Sequence, residues 1–343
     1  MRRLLRLLPA SLLVAACSNA GAGRVLTITG VGRVAGQAYL DFNGDRVLDA
    51  GDSAFPGLGV RLIATGTVDT VARATTNATG VFTFTGVAAG SYTIAIDTTT
   101  LRGDTVGITR IDTAAFTLAP GDTAFVDVAI GYPEVPISRI SALPLNTKVF
   151  VLGVALSGTV NGPLGGQTGI FGDSTVNIAD TSGAARVIGV RNAIVAIGDS
   201  DRFLVKVQRD PTDNSLRALA YQSLVTINAN GALTPVDTLT AAQAAGANGG
   251  KDDAALVTLG DSVVVQDAAT SPGLHGPYRL MHVVDAVTPA GALEVHLDSL
   301  VGFFGAALAK DTVGAKLVLS GLLVPTGTAG VWSLKPRAVT EQH

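Results

Sequence analysis

From residue 33 onward, hydrophobic and polar positions alternate in short runs instead of recurring every three or four residues. Val81-Phe82-Thr83-Phe84-Thr85 and Thr93-Ile94-Ala95-Ile96 are the clearest examples. A period of two places alternate side chains on opposite faces of a strand, so each run predicts a strand with one buried face. The pattern predicts strands over 34–40, 60–64, 68–75, 81–85, 92–96, 114–118 and 124–130. Turn residues separate them at Gly57-Leu58-Gly59, Asn77-Ala78-Thr79-Gly80, Ala89-Gly90 and Pro120-Gly121-Asp122. Evenly spaced short strands of this kind predict an all-β sandwich or barrel. Threonine on the alternate positions suits a solvated strand face.

Gly131-Tyr132-Pro133-Glu134-Val135-Pro136 interrupts the pattern with two prolines and reads as a boundary. Beyond it the strands are longer and less regular. A short helix is predicted at 137–143. A second is predicted at 239–245, with Thr238 as N-cap of an alanine-rich body. The segment also repeats itself weakly at about 107 residues, too few copies for a solenoid. Val149-Phe150-Val151-Leu152-Gly153 matches Leu256-Val257-Thr258-Leu259-Gly260. Val176-Asn177-Ile178-Ala179-Asp180 matches Leu280-Met281-His282-Val283-Val284-Asp285, and Arg186-Val187-Ile188 matches Leu293-Glu294-Val295. Phe203–Val207 matches Ala315–Leu319, and Leu216–Tyr221 matches Val331–Lys335. The expected organisation is a leader at 1–17, a small polar tether at 18–30, a sandwich at 31–132, and two similar β-domains at 138–235 and 236–343.

Composition narrows the class. The chain has 343 residues, 47% hydrophobic and 15% charged, which excludes wholesale disorder. The 41 glycines show no period of three, which excludes collagen. The leader MRRLLRLLPASLLVAAC carries Arg2, Arg3 and Arg6 before an apolar run of about ten residues, too short to span a bilayer and suited to an export signal. Its loss takes the formal charge from −3 to −6. An acidic chain without clustered Lys and Arg argues against nucleic acid as a partner.

The leader ends in Val14-Ala15-Ala16-Cys17, which resembles the lipobox of bacterial lipoproteins. That resemblance implies cleavage before Cys17, acylation of its sulfur, and a membrane as partner through a lipid anchor. Ser18 in place of Asp implies the outer membrane or cell surface. The alternative is an ordinary export signal cut after an A-x-A site. Cys17 is the single cysteine, so no internal disulfide and no cysteine metal site can form.

The sharpest motif is Asp41-Phe42-Asn43-Gly44-Asp45-Arg46-Val47-Leu48-Asp49-Ala50-Gly51-Asp52. Side-chain oxygens stand at loop positions one, three, five, nine and twelve, with the Val47 carbonyl at seven. This spacing wraps a hard cation, and Ca²⁺ takes about 6–8 such oxygens. Arg46 stands where glycine is usual, and Asp52 reaches less far than glutamate. The expected ligands are Asp41, Asn43, Asp45, Val47, Asp49 and Asp52, in a structural role; the alternative is an acidic turn without metal.

Together with Gly36-Gln37-Ala38-Tyr39-Leu40, Pro56-Gly57-Leu58-Gly59-Val60-Arg61-Leu62, Thr76-Asn77-Ala78-Thr79-Gly80-Val81-Phe82 and Gly86-Val87-Ala88-Ala89-Gly90-Ser91-Tyr92, this loop resembles the serine-aspartate repeat B-type domain. It is also similar to carboxypeptidase regulatory-like (transthyretin-like) and collagen-adhesin B-type modules. The resemblance covers about 31–131 and implies a calcium-stiffened β-sandwich stalk. The lysine–asparagine isopeptide bond of the collagen-adhesin relatives is excluded, because no lysine precedes Lys148. Ile137–Ala155, Val176–Ala184 and Trp332–Arg337 resemble bacterial OB-fold-like modules. The implied fold is all-β: a transthyretin-like sandwich followed by two OB-like barrels with short helices.

An OB-like barrel can bind oligonucleotides or oligosaccharides. The candidate cluster is His275, Tyr278, Arg279 and His282, facing Lys335 and Arg337, with Trp332 as a further candidate ligand-binding residue; the alternative is scattered surface and core residues. Catalytic signals are weak. Gly-Asp-Ser occurs four times, but no D-x-x-H follows, and H-E-x-x-H and P-loop motifs are absent. Asp252-Asp253 beside Lys251 reads as a solvated turn. The expectation is a non-catalytic surface lipoprotein presenting barrels for adhesion to a glycan or surface protein. The alternative is a glycan- or peptide-binding accessory subunit of a secreted nuclease or other hydrolase.

Overall fold

The computed structural model describes residues 30–101, 107–111, 115–159, 175–190, 193–229, 237–260, 262–272, 278–287, 289–298 and 312–337. Cys17 and His275 lie outside them. The protein is all-β.

Ten strands build the first body. They are β1 (Val31–Leu40), β2 (Ser53–Ala54), β3 (Gly59–Ala64), β4 (Thr70–Thr75), β5 (Val81–Ala88), β6 (Gly90–Asp97), β7 (Gly107–Ile111), β8 (Phe116–Leu118), β9 (Thr123–Phe125) and β10 (Val128–Gly131). β4-β3-β6-β8 form one sheet. The other is organised around β1. Its first half pairs with β5 and runs parallel to β9, while its second half pairs with β2 and runs parallel to β10. Val34, Leu58, Leu62, Phe82, Phe84, Ile94, Leu118 and Val128 fill the space between the sheets. Gly36 is required where it stands: a Cβ there would collide with the Val126 carbonyl and the Phe82 ring.

The predicted strands are present with shifted ends. The run expected at 124–130 is two strands, β9 and β10, which meet different halves of β1. The run expected from Val68 begins at Thr70, and Val68 is 92% exposed in the preceding turn. β7 had no clear alternation and was not expected.

The second body is a closed barrel of β11 (Lys148–Ala155), β12 (Val176–Asp180), β13 (Gly183–Ile188), β14 (Ser200–Arg209) and β15 (Arg217–Asn228). The order around it is β11-β12-β13-β15-β14. Only β13 and β15 are parallel. Val149, Val151, Ile178, Val187, Phe203, Val205, Val207 and Leu219 fill its interior.

The third set comprises β16 (Asp237–Leu239), β17 (Leu256–Leu259), β18 (Val263–Ser271), β19 (Tyr278–Asp285), β20 (Leu293–Asp298), β21 (Lys316–Leu317), β22 (Ser320–Pro325) and β23 (Trp332–Lys335). β17 and β18 act as one interrupted strand, and so do β21 and β22, because β17 pairs with β22 and β18 with β21. On that count the order is again first, second, third, fifth, fourth, and the third and fifth (β20 and β23) are again the parallel pair. The motif matches noted above fall on corresponding strands.

A helical turn precedes each barrel's first strand, a 3₁₀ turn at Ile137–Ala142 and α1 at Ala241–Ala245. The same device holds both. Asp180, at the end of the second strand, accepts the Ile137 N–H at 2.9 Å; its counterpart Asp285 accepts the Ala241 N–H at 2.9 Å. The cap of α1 is Thr240 and not Thr238. Thr240 and Gln243 form a reciprocal capping box, while Thr238 lies in β16, drawn into parallel pairing with β17.

Candidate functional site

The acidic loop leaves β1 after Leu40 and returns as β2. Asp41 is fully buried and accepts the N–H groups of Gly44 at 2.7 Å and Arg46 at 3.1 Å. Asp52 accepts those of Phe42 at 3.1 Å and Asp49 at 3.2 Å. Burial raises both carboxyls above the usual range in spite of these bonds. The charge of Asp45 adds to the rise at Asp41, and those of Asp49 and Asp41 to the rise at Asp52. The Asn43 amide donates to Asp45 and Asp49, each at 2.9 Å. The Val47 N–H donates to Asp45 at 2.7 Å. Arg46 takes the left-handed turn (φ 65°) that glycine supplies more cheaply, and Arg110 holds its carbonyl at 3.0 Å. Among the described residues, no three His, Cys, Asp or Glu side chains stand close enough to hold a metal in this arrangement.

The loop sits at a joint. Arg202 of β14 donates to the Gly44 carbonyl at 2.8 Å and pairs with Glu134 of the linker at 2.9 Å. Ser223 of β15 donates to the Phe42 carbonyl at 2.9 Å. Beside these bonds, Phe150 and its cross-strand partner Leu204 bury themselves against Tyr132, Leu40 and Phe42. Fully burying a side chain of this size is worth about 1.5–3 kcal/mol, against about 0–1 for an exposed ion pair, so the apolar pair holds this joint and the polar bonds orient it.

The second joint repeats the arrangement. Leu256 and its cross-strand partner Leu322 pack on Leu156 and Ala179 of the first barrel. Around them lies a buried polar network. Arg186 of β13 donates to Asp210 at 2.8 Å and, with both terminal nitrogens, to Asp253 at 2.5 and 3.0 Å. Burial alone would lower the Arg186 pKa, but Asp253 and Asp210 outweigh it and hold it raised. Trp332 donates its indole N–H to Asp253 at 2.7 Å, Asn177 donates to the Ala254 carbonyl at 2.9 Å, and Arg337 donates to the Leu156 carbonyl at 2.7 Å. Asp252-Asp253 is therefore not a solvated turn: Asp252 is buried, and Asp253 is the acceptor at the centre of the joint.

Tyr278 and His282 share the outer face of β19 with His296 of β20. The Tyr278 and His296 rings meet edge-on at 4.5 Å, and His282 contacts Asp267 at 2.8 Å. Burial, aided by the charge of Lys335, pushes His296 down to about 4, and its Nε2 has no hydrogen-bond partner among the described residues. Arg279 has the alternate parity and reaches Thr270 at the strand margin. Trp332 does not join this face, because its ring is buried in the barrel core. The sequence reading missed His296, Arg186 and Asp210. His296 could have been found from its parity in the Leu293–Asp298 alternation.

The family profile of the SdrD B-like domain matches residues 32–114, which lie in the sandwich and include the acidic loop. No curated protein matches the chain. Among solved structures, GBS52, the minor pilin of Streptococcus agalactiae, aligns at 14% identity over 31% of this chain and 47% of its own, with a TM-score of 0.23. The RrgB pilus protein of Streptococcus pneumoniae aligns at 13% over 36% and 31%, with a TM-score of 0.24. This chain thus spans less than half of either. The shaft pilin SpaA of Lactobacillus rhamnosus GG aligns at 10% over 56% and 93%, with a TM-score of 0.22. TM-scores this low establish neither a shared overall fold nor a shared role.

Proposed function

We propose that this is a non-catalytic cell-surface lipoprotein, in which acylated Cys17 anchors a calcium-stiffened stalk that presents two OB-like barrels. The observation that carries the reading is the placement of the acidic loop. It belongs to the SdrD B-like segment and is hydrogen-bonded to the first barrel. The donor set suits a hard cation: four carboxylates and an amide within twelve residues, two of the carboxylates pressed toward protonation by burial and like charge. Turning the Asn43 amide would present its oxygen where its nitrogen now bridges Asp45 and Asp49. Calcium there would neutralise the loop and fix the carbonyls that Arg202 and Ser223 hold. The strand order of the two barrels, with third and fifth strands parallel, supports the OB-like reading and a division near residue 236.

Thermal unfolding in EDTA and then in millimolar calcium tests the stalk. A ligand that binds only the folded state stabilises it by about 2.7 kcal/mol at a hundred times its dissociation constant. A rise in melting temperature that Asp45→Ala abolishes supports the site; no rise reduces the loop to an acidic turn. Labelled palmitate that enters the wild type and not Cys17→Ser supports the anchor.

A second reading, glycan binding, rests on the half-buried face around Tyr278, His282 and His296. An aromatic ring beside imidazoles and the carboxylates Asp267 and Glu294 offers stacking and hydroxyl-bonding groups together. Titration with soluble oligosaccharides against Tyr278→Ala tests it; heat or fluorescence changes that persist in the variant would sink it.

A further inference from the structure

We propose that the two barrels are one rigid body whose register is set by Arg186. The apolar part of their joint cannot do this alone, since contacts among Leu156, Ala179, Leu256 and Leu322 are non-directional and tolerate sliding. The polar part is directional and buried. Arg186 lies on the third strand of the first barrel, and its planar fork engages Asp253 of the second barrel with two parallel bonds while its remaining nitrogen holds Asp210 of its own barrel. The Asp253 oxygen that takes one of these bonds also accepts the Trp332 indole N–H, and the next residue, Ala254, gives its carbonyl to Asn177. Any other register would leave Asp253 without its guanidinium and Arg186 with Asp210 alone, away from water.

The loop that delivers Asp253 carries a further mark of this role. Ala247, Asn248 and Ala254 have φ of 42°, 51° and 65°. These left-handed conformations are costly for residues with a Cβ, and they persist where the surroundings hold them. Here they turn Asp253 and the Ala254 carbonyl onto the first barrel. The joint also covers the outer face of β12 and β13, where Asn177, Ala179 and Arg186 stand. The corresponding face of the second barrel, with Tyr278, His282 and His296 half-buried, takes no part in the joint.

The test measures the distance between the barrels. In the full chain carrying Cys17→Ser no other cysteine remains, so Gln222→Cys on β15 and Gln266→Cys on β18, both exposed, can be spin-labelled as a pair. Double electron–electron resonance should give a single narrow distance peak. Arg186→Met should lose that peak while the far-UV circular dichroism is kept. If Arg186→Met does not fold, Asp253→Asn, which keeps an acceptor for Trp332 but forfeits the charge pair, should broaden the peak instead. A broad distribution in the parent would overturn the rigid body. A peak unchanged in Asp253→Asn, or in a folded Arg186→Met, would overturn the role of Arg186.

Discussion

The two barrels have the same strand order, and each uses an aspartate at the end of its second strand to hold the helical turn before its first. They differ in what lies on the outer face of their second and third strands. In the first barrel that face carries Asn177, Ala179 and Arg186 and is closed by the second barrel. In the second barrel it carries His282, Tyr278 and His296, which are half-buried and take no part in the joint. Interior positions conserve the barrel, while a few outward residues decide whether a face becomes a joint or a surface.

The strongest way to break this contrast is Arg186→Met. It leaves Asp210 and Asp253 without their cation, and removing one partner from a buried pair costs about 3–5 kcal/mol, read by chemical denaturation. A loss below about 1 kcal/mol, the range of exposed ion pairs, would mean that the first barrel's face is no more committed than the second's. Next comes Asn177→Ala, which orphans the buried Ala254 carbonyl and should cost about 1–3 kcal/mol. His282→Ala, at the matching strand position but in an exposed pair with Asp267, should cost less than about 1 kcal/mol. Equal losses would erase the distinction.

The likeness of the barrels is tested by Asp180→Ala and Asp285→Ala. Each removes the acceptor for one helical turn, at about 1 kcal/mol, and Asp180→Ala also strips the acceptor from Ser182 and Gly183 and should cost more. A smaller loss in Asp180→Ala than in Asp285→Ala would show that the shared device is not equally used. A further contrast is a pH dependence confined to the corresponding face of the second barrel. His296 has a folded pKa of about 4 against an ordinary 6.5. As pH falls from 6.5 towards 4, the unfolded chain takes up this proton first, so stability declines across that window and levels off below it. His296→Gln should remove this part of the decline in a series of melts.

The strands of the sandwich were legible because alternation and turn residues are local properties. The weak repeat was legible too, since Val176–Asp180 and Leu280–Asp285 keep apolar residues at the inward positions and the same terminal aspartate. The joints were not. Arg186 and Asp253 are 67 residues apart, and neither shows in its own neighbourhood that it will meet the other. Asp253 beside Lys251 looks like a solvated turn until Arg186 and Trp332 arrive. Trp332, a lone tryptophan near basic residues, resembles a binding ring; its inward parity on β23, beside Leu334, is the signal that places it in the core.

The way β1 is paired has a mechanical meaning. β9 and β10, the last strands of the sandwich, both run parallel to it, so the chain enters this body at one end and leaves it at the other. Tension between the segment before Val31 and the barrels would pull β1 and β10 in opposite directions along their length. Their hydrogen bonds would then bear load together in shear and not open one after another like a zip. Single-molecule pulling from residue 30 and residue 131 should meet a sharp resisting peak, and steady low-force peeling would refute that geometry. A parallel pairing of first and last strands thus makes this body the element suited to carrying tension.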